Sequence, residues 1–270
     1  MFKGTYYKHQ INGKTVCFIA GKSTSGPFVQ VITNETVYQF NTTRGFHGSR
    51  HGIIVDLPGI KGRVAYHNAV PLQSDIMGPF RYLPMQCRHA VYSMRHTLRG
   101  SLSINGEAID FTGGTGYIEG DSGRSFPQQY LWLHCNDFIT DTSIMLSVAQ
   151  IPFTGFQFWG CICAIVHGAK QYRLATYHGV KILPANQQQV LLQQGRYKLS
   201  IAITAGSAHP LYAPQNGQMV DIIRESNNAS ARFRFWENDV LLFDLESQNV
   251  SFECNLEKPL QKHSPANPSP

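Results

Sequence analysis

The chain has 270 residues, 42% of them hydrophobic and only 15% charged, with a formal net charge of +6 and a pI near 9.0. That length and apolar content allow one large or two smaller packed domains and exclude an intrinsically disordered chain. The basic excess lies in residues 1–100, with 12 Lys or Arg against 3 Asp or Glu. Its arginines are dispersed among apolar residues, without zinc-finger spacing, an RNA-binding signature or a basic arm, which argues against nucleic acid as a partner.

In chain order the periodicity is that of strands. Residues 6–10 and 14–20 flank Asn12-Gly13, a pair suited to the positive φ angles of a two-residue hairpin turn. Residues 28–31, 37–40 and 52–57 continue the pattern, and 98–104 with 108–111 flank a second Asn-Gly at 105–106. Residues 197–204 are strand-like, Asn216-Gly217 marks a third hairpin, and Glu237-Asn238-Asp239 marks a fourth, in which Arg232 and Arg234 alternate with Phe233 and Phe235. Many short strands joined by turns indicate an all-β barrel or sandwich.

One helix is expected, over residues 187–194, where glutamines are good helix formers and Gly195 stops the run. Junctions between two domains are placed at 71–84 or 151–155, for a division into 1–150 and 151–257, and the proline-rich residues 258–270 read as a flexible tail. Met1 is not followed by a signal-peptide core, and no run approaches the ~20 apolar residues of a membrane span. The expectation is a soluble cytoplasmic protein with at most peripheral membrane contact. The six cysteines form no CxxC pair, and Cys161 and Cys163 read as small core residues.

The segment 116–138 departs from this plain pattern. In an extended chain, residues two apart share a face, so Tyr117, Glu119 and Asp121 project together, beside the aromatic run Phe126, Tyr130 and Trp132. A solvated edge strand and a paired-carboxylate acid site both fit. His134 and Asn136 share the face of Trp132, whereas the spacing of His89 and His96 sets them on opposite faces and works against joint metal ligation.

Tyr117, Glu119, Gly123, Phe126, Pro127, Trp132, Asn136 and Phe138 stand in register with a signature of the tocopherol cyclase family, which this segment resembles. Gly4-x-Tyr6-x-Lys8, 211–214 and Trp236-Glu237 echo other family motifs. Gly120 and Ser122 stand where the family carries Lys and Trp, Thr5 and Tyr130 where it carries Trp, and His134 where it carries Gln.

The resemblance implies two lipocalin- or calycin-like antiparallel β-barrels with little helix, related to carotenoid hydratases. It implies acid-catalysed cyclisation, hydration or isomerisation of a prenylated or otherwise unsaturated lipid, with no metal or organic cofactor. On this reading Glu119 or Asp121 gives the proton, and Tyr117, Phe126, Tyr130, Trp132, His134 and Asn136 bind the substrate. A non-catalytic carrier of hydrophobic or isoprenoid ligands is the alternative.

Overall fold

The computed structural model describes residues 1–153, 156–204 and 206–260. The strands β1 (Phe2–Ile11), β2 (Lys14–Ser23), β3 (Gly26–Thr33), β4 (Val37–Phe40), β5 (Phe46–Ser49), β6 (Gly52–Leu57), β7 (Ile60–His67), β8 (Cys87–Ile104), β9 (Glu107–Asp110) and β10 (Thr115–Gly123) form one antiparallel sheet. A second is formed by β11 (Tyr130–Cys135), β12 (Thr142–Phe153), β13 (Phe156–His167), β14 (Lys170–Ala175), β15 (Lys181–Ala185), β16 (Gln189–Gln194), β17 (Tyr197–Thr204), β18 (Ala208–Gln215), β19 (Gln218–Glu237) and β20 (Val240–Asn255). Their orders are β4-β3-β2-β1-β10-β8-β7-β6-β5 and β14-β13-β12-β11-β20-β19-β17-β16-β15, with β9 on β8 and β18 on β19.

Local sequence explains much of this. Asn12-Gly13, Asn105-Gly106 and Asn216-Gly217 all have positive φ at both residues, the geometry that matches a tight turn to the twist of its strands. In β6, Ile53, Val55 and Leu57 are buried while Ile54 and Asp56 are exposed. In β19, Phe233 and Phe235 point into the second core and Arg232 and Arg234 into water.

Two sequence expectations change. Residues 187–194 are not helical. Residues 189–194 are β16, paired on one side with β15 and on the other with β17, and burial of Val190 and Leu192 in alternation outweighs the helix propensity of the glutamines. The chain passes between sheets at residues 124–129. Ile151 and Pro152 instead sit inside the β12–β13 pairing, and residues 71–84 contain a short 3-10 turn, Gly78–Tyr82, and bond across to the second half of the chain, where Arg173 donates to the Asp75 carbonyl at 2.9 Å and the Tyr177 hydroxyl to the Ile76 carbonyl at 2.8 Å. Residues 261–270 of the expected tail lie outside the described residues, while Leu260 pairs with Ala185. Among the described residues no helix is long and apolar enough to cross a membrane.

Each sheet curls as a half-barrel around its own core. Phe18, Ile53, Val64 and Leu102 belong to the first core, and Leu146, Ile165, Ile201 and Phe233 to the second. A third apolar cluster lies where the sheets meet and draws Tyr6, Met94 and Tyr117 from the first and Trp132, Met145 and Ile223 from the second. The pairing of β10 with β8, which sets one side of this contact, needs a glycine at 123. A Cβ there would lie 2.2 Å from the Gln86 carbonyl oxygen, a backbone atom with no rotamer to escape into. Gly123→Ala is therefore expected to destabilise the fold by about 1–3 kcal/mol, the usual cost of overpacking, read from denaturant unfolding.

Candidate active site

Along β10 the side chains divide by parity. Ile118 enters the first core, while Tyr117 belongs to the cluster between the sheets and Glu119 and Asp121 line the cavities there. Along β11, Leu131, Leu133 and Cys135 enter the second core, and Tyr130 and Trp132 face the first sheet. Two period-2 strands from different sheets thus present their odd or even residues to one another across the contact.

Glu119 is 5% exposed. Its Oε2 accepts hydrogen bonds from the Tyr117 hydroxyl at 2.5 Å and from the Trp132 indole N–H at 3.2 Å. Asp121 lies opposite His89 in the β10–β8 register. The His89 ring stands between the two acids, with Nδ1 2.9 Å from Asp121 Oδ1 and Nε2 3.3 Å from Glu119 Oε2. Burial opposes a charge on this imidazole, but Asp121 and then Glu119 outweigh it and hold its pKa well above the ordinary histidine value. His89 is thereby held toward its imidazolium form, hydrogen-bonded to Asp121 through Nδ1 and within ion-pair distance of Glu119 through Nε2.

His89, Glu119 and Asp121 form part of the wall of a cavity of about 120 Å³, whose remaining wall is largely apolar: Met77, Phe80 and Met85 near the 3-10 turn, and Tyr130, Trp132, Ile151 and Phe158 from the second sheet. A smaller cavity of about 60 Å³ lies against the same group from the side of Phe2, Phe28, Leu211 and Met219. Glu119, Asp121, Phe126, Trp132 and Glu253 line both.

The donor atoms of His89, Glu119 and Asp121 lie within 4.8 Å of one another, near enough for a metal ion. A metal there would take one imidazole nitrogen and one oxygen from each carboxylate, whereas in the arrangement seen here Nδ1 is hydrogen-bonded to Asp121 and Nε2 lies beside Glu119. The arrangement is that of a proton-carrying ring between two acceptors. Chemically it sets two carboxyl groups and several aromatic faces around one largely apolar cavity, and these are the groups that would favour a carbocation.

Of the residues expected from sequence, the structure brings together Glu119, Asp121, Phe126, Tyr130 and Trp132 at the cavity. Tyr117, His134 and Asn136 stand behind that wall. The His134 ring stacks on Tyr117 at 3.6 Å, and Asn136 donates to the Gly116 carbonyl at 2.9 Å. Burial, followed by the nearby Lys8 charge, holds His134 well below the ordinary histidine value, so it is neutral. His96 is separate from His89 and packs on Tyr66 at 4.2 Å.

On sequence alone His89 is weighed only as a metal ligand with His96, and Glu253 and its neighbour Glu225 are not singled out. Glu253 stands beside Trp132 in the β20–β11 register and opposite Glu225 in the β20–β19 register. Only strand pairing reveals these neighbours. Gly120, where the family carries lysine, lies on the strand face opposite Glu119 and Asp121. A Cβ there would meet the Tyr92 ring at 3.0 Å, and Tyr92 packs against the first core, so this departure leaves the cavity wall intact.

Comparison with solved structures finds the same architecture. CghA solved with Sch210972 superposes with a TM-score of 0.60 at 9% identity, over 94% of this chain and 88% of that one. A putative AttH from Nitrosomonas europaea superposes with a TM-score of 0.57 at 10% identity, over 94% and 92%. No curated protein sequence matches the chain. The profile of the tocopherol cyclase-like family matches residues 59–257, which include β8, β10, β11, β19 and β20 and so every carboxylate of the site. Its match over well more than half the length makes the chain a member of the tocopherol cyclase-like family.

Proposed function

We propose that this protein is a redox-neutral enzyme that cyclises, hydrates or isomerises a prenylated or otherwise unsaturated lipid by acid catalysis. The observation that carries the reading is the setting of Glu119 and Asp121. Both acids are paired with His89 in the wall of an apolar, aromatic cavity between the two sheets. A proton from an acid of the cavity adds to the less substituted carbon of a trisubstituted double bond, and the π electrons form the new C–H bond. The tertiary cation left behind meets the carboxylates and the faces of Trp132, Tyr130 and Phe126, each face contributing roughly 0.5–2 kcal/mol. A hydroxyl of the substrate, or water, bonds to the cation and returns its proton to the site. No electrons leave the substrate, and no redox partner is required by this chemistry.

Family membership supports a cyclase-like reaction, and CghA, of like fold, has been solved with the small molecule Sch210972. The test is incubation of the purified protein with prenylated hydroquinones and with polyenes in D₂O. Ring closure is expected to conserve the substrate's atoms and to install one non-exchangeable deuterium on carbon, seen by mass spectrometry and NMR. Lipid that co-purifies or binds without being converted, and without deuterium uptake, would overturn the enzyme in favour of the carrier.

A further inference from the structure

Glu225 and Glu253 lie opposite each other on β19 and β20, in the one place where a sheet normally disfavours two like charges. Glu225 is fully buried. Its Oε1 accepts from the Tyr6 hydroxyl at 2.6 Å, and its Oε2 has no donor among the described residues. Glu253 Oε2 accepts from the Tyr130 hydroxyl at 2.8 Å, and the side chain lines both cavities. A buried acceptor left bare beside a second carboxyl is satisfied if one of the two carries a proton and donates it to the other.

We propose that Glu253, hydrogen-bonded to Glu225, is the carboxylic acid that donates the proton in the reaction above, and that Glu119 and Asp121 with His89 form the charged wall facing the cation. This rests on the proposed function and names the donor within it. Glu119 and Asp121 both face the His89 ring, and the indole N–H that reaches Glu119 can only donate. Both are thereby arranged as acceptors. Glu253 is the carboxyl at the cavity whose cross-strand neighbour is a fully buried carboxyl with an oxygen left bare.

Burial, then the Glu225 charge, raises Glu253 well above the carboxylate range, with Glu119 adding to the effect and the Tyr130 hydrogen bond opposing it. The groups facing the pair are Tyr6 and Lys8 from β1, Cys17 from β2, Glu119 from β10 and Tyr130 from β11. Lys8 is the cation among them and favours the single negative charge that the pair retains. In turnover the Glu253 O–H breaks as the C–H forms, and the carboxylate takes back the proton lost by the attacking hydroxyl. Atoms and charge return to the starting state. Glu225 does not touch the substrate and acts as a positioning residue.

The experiment has two arms. Infrared difference spectra at neutral pH are expected to show the C=O stretch of a protonated carboxyl, shifted in D₂O, lost in Glu253→Gln and moved in Glu225→Gln. With a prenylated hydroquinone as probe, Glu253→Gln is expected to lose about 10²–10⁴-fold in kcat, as for removal of a general acid. Glu225→Gln is expected to keep substantial activity but to shift the alkaline limb of the kcat profile to lower pH, because loss of the neighbouring anion lets Glu253 ionise sooner. Should Glu253→Gln fail to fold, the Glu225→Gln profile and the wild-type spectrum still decide.

No protonated-carboxyl band sensitive to either variant overturns the pair. Glu253→Gln that retains near wild-type turnover overturns the donor role, while deuterium incorporation by the same enzyme leaves the proposed function standing. A wild type that converts no probe overturns the proposed function and the donor role together, whereas the band still reads the shared proton.

Discussion

Asp121→Asn and Glu119→Gln are each expected to lower turnover of a prenylated probe by about 10²–10³-fold, the range seen when a preorganised electrostatic group is removed from a site. The amides keep the shape and lose the charge. Asparagine at 121 can still present a carbonyl oxygen to His89 Nδ1 at the 2.9 Å position, but it no longer holds the ring as an imidazolium. His89 is then expected to titrate nearer the ordinary histidine range, which NMR of the imidazole resonances reads independently of activity. Its raised pKa derives from Asp121 first and Glu119 second, against burial, so the fall is expected to be larger in Asp121→Asn than in Glu119→Gln. Glu119→Gln also replaces the oxygen that the Tyr117 hydroxyl and Trp132 indole address, and is expected to loosen the contact between β10 and β11. Wild-type activity in the double variant would remove both acids from the site's chemistry.

The second large effect is acid destabilisation through buried neutral histidines. His9 donates from Nδ1 to the Val16 carbonyl at 3.1 Å and accepts at Nε2 from the Tyr66 hydroxyl at 2.6 Å, which satisfies both nitrogens of the neutral ring. Burial lowers its pKa to about 4, and burial, then His9, lowers that of His96 to about 3. Both lie below the ~6.5 of an unfolded histidine. The unfolded chain therefore binds more protons between those limits. The stabilisation is full above pH ~6.5 and is lost as pH falls towards 4 and then 3, by about 3 kcal/mol for His9 at full extent. Glu225 and Glu253 act in the opposite sense, since burial raises both; their penalty is greatest at alkaline pH and relaxes as they protonate. Urea unfolding at pH 7 and pH 4.5 is expected to show a net fall at acid pH, reduced in a His9→Gln variant. A Glu225→Gln, Glu253→Gln double variant is expected to be more stable than wild type at pH 8 and no more stable at pH 5.

Much of the secondary structure was legible in the chain itself. Asn12-Gly13, Asn105-Gly106 and Asn216-Gly217 specify their turns because asparagine and glycine tolerate left-handed backbone angles. Strict alternation, as at Ile53, Val55 and Leu57, specifies which face of a strand is buried. The same rule places Tyr117, Glu119 and Asp121 on one face, and the in-register match from Tyr117 to Phe138 identifies the family from local residues alone.

Tertiary structure decided what those residues face. Residues 189–194 are a strand because β15 and β17 offer pairing on both sides, a gain that no local propensity encodes. The carboxylates became a site because β10 pairs with β8 in a register that sets Asp121 opposite His89, thirty-two residues away in the chain. Glu253 joined them because β20 lies between β11 and β19. Period-2 alternation says that a side chain points to one face of its strand. The opposing sheet, set by long-range pairing, determines whether that face meets water, an apolar core or another acid.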